Sequence, residues 1–387
     1  MAQPKDFGFG SEEQMLRDSA RKFLKDNSPI EKLRLLVAKD HKIAYESDIQ
    51  PLAWDERIWR QMVGLGWTAL AVPESAGGAG MKMIAVAVLA EEIGRAALPS
   101  PLIATLIATA VLTHAKSDGA KAWLERIVGG DAASLAGPGA EGSWLPDATA
   151  VTAVTSGDGV VLKGTAPFVQ DARKAAFFVV AARDAKGVGL YAVPADTPGL
   201  TIHPDRVVDL TRDQAHLEFD DVRVDQGAVI AVAGAGAAVV GEALPSILTI
   251  VAADLCGAAE WQMQTTAEYA RVRTQFDHQI GFFQAVKHPL VNVMIDVDRA
   301  RSLVYAAACA IDTEPGEALR LARMAKAAAS DTGAFASSRS IQLHGGIGFT
   351  WECDVHIYVK RQKHNQFYFG DGAYQRGKLA ALIDRAA

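Results

Sequence analysis

Arg273-Thr-Gln-Phe-Asp-His-Gln-Ile-Gly-Phe-Phe-Gln284 and, about sixty residues later, Gln342-Leu-His-Gly-Gly-Ile-Gly-Phe-Thr350 decide the fold of this chain through what lies around them. Between them Leu290, Val293, Met294, Val297, Ala300, Leu303, Val304 and Ala307 recur at three- and four-residue spacing, as one buried helical face requires. Pro289 suits the first turn of that helix, and Pro315-Gly316 stand beyond its end. A second helical pattern runs from Glu317 to Gln342 and is stopped by Gly345-Gly346. From about residue 240 onward the chain therefore reads as helices able to form a bundle.

Working outward, residues 11 to about 122 also read as helices. Ser11-Glu-Glu-Gln opens the first with Ser11 as its expected N-cap, and Leu16, Ala20, Phe23 and Leu24 follow at helical spacing. The character changes from about 130 to 228. Val160-Val-Leu, Ala176-Phe-Phe-Val-Val-Ala, Val188-Gly-Leu-Tyr-Ala-Val and Ala215-His-Leu-Glu-Phe are short β-rich runs. Gly157-Asp-Gly, Asp184-Ala-Lys-Gly and Pro194-Ala-Asp-Thr-Pro-Gly punctuate them as turns. The expected architecture is α+β in several domains: helical over 1–125, a β-barrel or sandwich over 126–232, and a four-helix bundle over 233–387. The Ala/Gly/Val/Asp tract around 228–240 is the expected linker.

Half of the 387 residues are hydrophobic, so a substantial core is available. Acidic residues outnumber basic ones, 45 to 39, and the charges are interspersed, which argues against a nucleic-acid-binding face. No uncharged apolar run reaches the length of a membrane span, so membrane insertion is not expected. The N-terminus lacks the layout of a secretory signal. Cys256, Cys309 and Cys353 are odd in number and unspaced for metal, which makes a reduced, cytoplasmic protein the expectation.

These tracts resemble the acyl-CoA dehydrogenase family over nearly the whole chain. Leu65-Gly-Trp-Thr-Ala-Leu-Ala-Val-Pro73, with Gly77, Gly78 and Gly80 before Glu91-Glu92-Ile-Gly94-Arg95, is similar to the family's glycine turns and acid-bearing helix. The resemblance implies FAD as cofactor, with Arg273 on its diphosphate. A guanidinium matches that group in charge and fork geometry. Gln275, Phe276, Phe283 and Gln284 would lie nearby, and Gln342, Leu343, His344, Gly345 and Gly346 against the adenine end of a FAD held mainly by a neighbouring subunit. His344 reads equally as a packed polar side chain. Phe168-Val169-Gln170 resembles the flavin-edge motif, with Phe168 stacking and Gln170 donating; an ordinary strand, Phe in and Gln out, is the bland alternative. In Gly137-Pro-Gly-Ala-Glu-Gly142-Ser143-Trp144, Ser143 matches the family's Gly-Ser-Asp, and Trp144 replaces its Asp.

The family reaction needs a carboxylate to take the α-proton of an acyl-CoA while flavin takes the β-hydride. Tyr368-Phe369-Gly370-Asp371-Gly372 aligns with the segment bearing that glutamate and puts Phe369 in its place. The alternative helical position, upstream of Ala252-Ala253-Asp-Leu-Cys-Gly257, holds Ile247. Asp371 and Asp254 are the substitute candidates. Asp254 lies in an apolar run, about 10 Å along the helix from Ile247, where pairing with an arginine is the alternative to a perturbed pKa. Glu91 and Glu92 sit near substrate in the family, or else in inter-helix salt bridges. The resemblance further implies an oligomer, an electron-transfer flavoprotein as acceptor, and a homo- or heterotetramer in which a sister chain carries the base. Steroid-degrading members resemble that arrangement. A chemically inert subunit and a member with altered chemistry are the rival readings.

Overall fold

A computed structural model describes residues 7, 9–38, 45–47, 49–137, 139, 142–145, 147–157 and 159–384. Pro138, Ala140, Glu141 and Asp158 of the tracts quoted above lie outside them. The N-terminal helices are α1 Ser11–Asn27, α2 Ile30–Ala38, α3 Glu56–Gly64, α4 Met83–Arg95, α5 Leu102–Ala115 and α6 Asp118–Val128. Ser11 is the first helical residue of α1 rather than its cap. Gly10 holds the cap position, and its N–H donates to Glu13 Oε2 at 2.8 Å, so the carboxylate at the third helical position satisfies the backbone N–H of the cap residue itself.

Eight strands follow: β1 Ala133–Ala136, β2 Ala150–Ser156, β3 Gly159–Gln170, β4 Phe177–Asp184, β5 Gly187–Pro194, β6 Leu200–Pro204, β7 Gln214–Val224 and β8 Val229–Ala231. They form one mixed sheet in the order β6-β7-β3-β2-β4-β5-β8, with β1 parallel to β4. Strand β4 explains the unbroken apolar run at 176–181. Phe177, Val179 and Ala181 join the core shared with the helices, while Phe178, Val180 and Ala182 fill the core on the other face. A strand covered on both sides cannot alternate. The 228–240 tract is not a free linker, because Val229–Ala231 pairs with β5 and the next helix starts at Gly236.

The C-terminal helices are α7 Gly236–Val272, α8 Gln284–Thr313, α9 Pro315–His344, α10 Val355–Phe367 and α11 Gly372–Asp384; the hairpin strands β9 Thr274–Gln275 and β10 His278–Gln279 precede α8. Helix α9 packs along α7 and α8, with α10 and α11 against it. Pro289 lies inside α8 rather than in its first turn, since that helix starts at Gln284. Pro315 opens α9. By length and composition α7 is apolar enough to cross a membrane, but most of that stretch is buried within the fold. It crosses α4 at two glycines. A Cβ on Gly257 would meet the Glu91 carbonyl at 1.8 Å, and one on Gly94 would meet the Asp254 carbonyl at 2.1 Å. That contact brings Glu91 and Asp254 to the same interface.

Candidate functional site

The hairpin after α7 turns at Phe276 and Asp277, both with positive φ (53° and 60°), as a two-residue hairpin whose twist matches its strands requires. It projects its side chains outward. Arg273, Gln275 and Gln284 are exposed, and Phe276 is 83% and Phe282 58% exposed, with Phe283 half-buried against Phe276. The guanidinium of Arg273 forms no ion pair among the described residues. At the end of α9, Gln342, Gly345 and Gly346 are also exposed, with open space beside both glycines, and Leu343 is half-buried. His344 packs against the last turns of α7: its ring stacks on Tyr269, 4.3 Å between centroids, and Nδ1 lies 2.9 Å from the Ser340 carbonyl. Burial lowers its pKa. His344 is packed within the fold as a polar side chain.

A second region lies between the sheet and α10. An aromatic-walled cleft of about 610 Å³ is lined by Trp144, Phe168, Phe367, Tyr368 and Tyr374, with Val207, Val208, Gln214, Lys360, Lys363, His364 and Asp371. Phe168 reaches it through a bulge in β3, where the register shifts and φ is 58°, so its ring turns outward. Val169 and Gln170 point inward and are buried. Phe in and Gln out is therefore inverted. Nor is the amide of Gln170 free to donate to a flavin. Its Nε2 donates to the Phe168 carbonyl and to Gln214 Oε1 at 3.2 and 2.9 Å, and its Oε1 accepts from His364 Nε2 at 2.6 Å. Burial pushes His364 down to about 4, so its ring is neutral at pH 7. Ser143 is half-buried, and its Oγ accepts a long bond from Leu145 N, 3.4 Å.

Neither usual base position offers a proton acceptor. Ile247 is wholly buried in α7, and Phe369 is 2% exposed. Asp254 does not replace them. Its carboxylate accepts from Arg361 Nε and Nη2 (3.0 and 2.7 Å), Arg212 Nη2 (2.6 Å) and Asn365 Nδ2 (2.7 Å). Burial alone would raise its pKa, but Arg361 and then Arg212 outweigh it and hold the group below the ordinary carboxylate range. Such an anion ties α7, α10 and the loop before β7 together, and every approach to it is occupied. Glu91 and Glu92 are likewise inter-helix pairs: Arg301 Nε and Tyr305 Oη reach Glu91 at 2.6 and 2.7 Å, and Arg21 grips Glu92 at 2.7 and 3.0 Å. Asp371 does stand at the cleft wall, where its Oδ1 accepts from Tyr374 N at 2.9 Å at the start of α11.

Sequence reasoning missed Trp144 as a wall, and it missed Arg212, Arg361, His364 and Lys326. A usable signal was present in Arg361 and Asn365, one helical turn apart, which face Asp254 together.

The comparisons with known proteins point to one family. The model described as "Acyl-CoA dehydrogenase, N-terminal domain" matches residues 10–131, and that for the C-terminal domain matches 234–383. The chain is 30% identical to acyl-CoA dehydrogenase IpdE2 of Mycobacterium tuberculosis over 354 residues, covering 90% of each. Among solved structures, a Tcur3481-Tcur3483 steroid ACAD variant superposes with TM-score 0.85 at 30% identity, over 97% of this chain and 99% of that one. The ChsE4-ChsE5 complex from Mycobacterium tuberculosis gives 0.87 at 25% identity, over 98% and 99%. The chain belongs to the acyl-CoA dehydrogenase family.

Proposed function

We propose that this chain is a subunit of an FAD-dependent acyl-CoA dehydrogenase assembly that supports dehydrogenation rather than taking the α-proton itself. The observation that carries this reading is that Ile247 and Phe369, both buried and apolar, offer no proton acceptor, and a separation along α7 accompanies it. Arg273 ends the helix on which Ile247 sits, twenty-six residues further on, or roughly 39 Å at 1.5 Å per residue. So long a span between Arg273 and Ile247 supports a reading in which the arm serves a cofactor on a neighbouring subunit.

The residues fit such a group. Arg273 offers a fork of donors to a diphosphate, Gln342 and the open backbone of Gly345 and Gly346 suit the adenine end, and Phe276 and Phe283 shield the contact from water. FAD, when bound, supplies the acceptor for the β-hydride of the acyl-CoA. A sister chain bearing glutamate would take the α-proton. Electrons would then pass to an electron-transfer flavoprotein. A polycyclic acyl-CoA is the favoured substrate class, because a steroid ACAD is among the similar structures. An assembly with a different sister chain accords with the ChsE4-ChsE5 complex.

A second reading rests on Asp371, which lines this chain's own cleft and would act there as the base in a homo-oligomer. Flavin content and acyl-CoA-dependent flavin bleaching, measured on the chain alone and co-purified with a glutamate-bearing sister chain, separate the two. Little bleaching alone and recovery with the sister chain is the expected result. Rapid bleaching by the chain alone would overturn the supporting role.

A further inference from the structure

Lys326 in α9 is wholly buried, yet no carboxylate lies within ion-pair distance of it among the described residues. Its Nζ donates to Ser330 Oγ at 2.9 Å, to the Gln366 carbonyl at 3.0 Å and to the Gly370 carbonyl at 2.8 Å. Gln366 is in the last turn of α10, where carbonyls lack helical partners and the helix dipole favours a cation. Gly370 follows Phe369, and both have positive φ, 86° and 58°. Only glycine fits at 370, since a Cβ there would meet the Tyr374 ring at 2.2 Å. A third tether holds the same loop: Gln375 Nε2 donates to the Phe369 carbonyl at 2.6 Å. The two carbonyls that Lys326 binds therefore bracket the residue standing in the place of the family's base.

We propose that Lys326 is the positioning residue of the 367–371 loop, a proton-dependent latch that holds Phe369 closed against the aromatic slot. With its proton, the ammonium makes charge-assisted bonds to both carbonyls; without it, the bonds weaken and the loop loosens. Burial lowers the pKa of Lys326 to about 7, with Asp371 and then Asp331 opposing that fall. The other polar groups around it are accounted for. Arg376 pairs with Asp331 at 2.5 Å, and Arg323 donates to Gln375 Oε1 at 2.8 Å. The inference goes beyond the reading above, and its test requires neither flavin nor partner.

The test is hydrogen–deuterium exchange of the 366–372 segment in the full-length chain between about pH 6 and about pH 9, corrected for intrinsic exchange. Wild type should lose protection about tenfold through a midpoint near neutrality. Lys326→Met should be poorly protected throughout, with no midpoint. Asp371→Asn keeps the bond from Tyr374 N but removes a charge, and should move the midpoint to lower pH. If Lys326→Met does not fold, the wild-type and Asp371→Asn profiles decide. Protection independent of pH in wild type, a wild-type profile in Lys326→Met, or an unmoved midpoint in Asp371→Asn would each overturn the latch.

Discussion

The indole of Trp144 packs against the ring of Phe369, 4.9 Å between centroids with 35° between the planes. By the sequence resemblance, Trp144 stands where the family pattern ends in Asp, and Phe369 where it carries glutamate. Two departures more than two hundred residues apart in sequence are thus neighbours in space. Tyr368 meets the same indole edge-on at 5.5 Å and Phe168 lies 6.0 Å away, so an aromatic cluster surrounds Phe369.

That contact sets the first prediction. Phe369→Ala empties a buried site and should cost about 3–5 kcal/mol. Combined with Trp144→Ala, the loss should fall short of the sum of the two single losses by about 0.5–1.5 kcal/mol, the coupling typical of an aromatic pair. Urea unfolding of the four proteins in the cycle measures it; strict additivity would mean that the rings do not stabilise one another.

Asp254→Asn should destabilise the fold by about 3–5 kcal/mol, because Arg361 and Arg212 would be left buried without their anion. Thermal unfolding reads this directly. A variant of wild-type stability that had lost flavin bleaching would instead identify Asp254 as the base.

Arg273→Ala should leave stability within about 0.5 kcal/mol of wild type, since the residue is exposed. Flavin affinity of the assembled oligomer should fall by about 1.5–3 kcal/mol, the contribution of a charged hydrogen bond. Flavin titration of the apo-assembly tests the second half, and undiminished affinity would remove Arg273 from the site.

The fold should weaken in mild acid. Burial holds His364 and His356 down to about 4, against 6.5 when unfolded. Between those values the unfolded chain binds more protons than the folded one, so stability rises with pH there. The contribution is intact above about pH 6.5 and is lost as pH falls toward 4, at most about 3 kcal/mol for each ring. Urea midpoints at about pH 7 and about pH 5 should differ in wild type, and the difference should shrink in His364→Gln. An unchanged difference would show that this ring titrates alike in both states.

The helices were legible in the sequence because Leu290 through Ala307 repeat with the helical period; Val293, Val297, Ala300, Val304 and Ala307 form the buried face, while Met294 is exposed. Strands β3, β4, β5 and β7 were legible as dense β-branched and aromatic runs. Strands β1 and β8 are too short to announce themselves, and β2 and β6 carry little apolar patterning. Gly345, Arg273 and the absence of glutamate at 247 and 369 were readable one residue at a time, since backbone freedom, charge and the lack of a proton acceptor belong to the residue itself.

Tertiary structure alone decided what Asp254, Gln170 and Trp144 do. A buried carboxylate is a base or a structural anion according to which arginines reach it, and Arg212 and Arg361 come from different elements. Gln170 is a donor toward a ligand or a link in the fold according to whether His364 and Gln214 consume its amide. Pattern along the chain reports the face on which a side chain lies. Which group meets it there depends on the crossing of α4, α7 and α10 with the sheet, and that crossing is fixed by packing over the whole molecule.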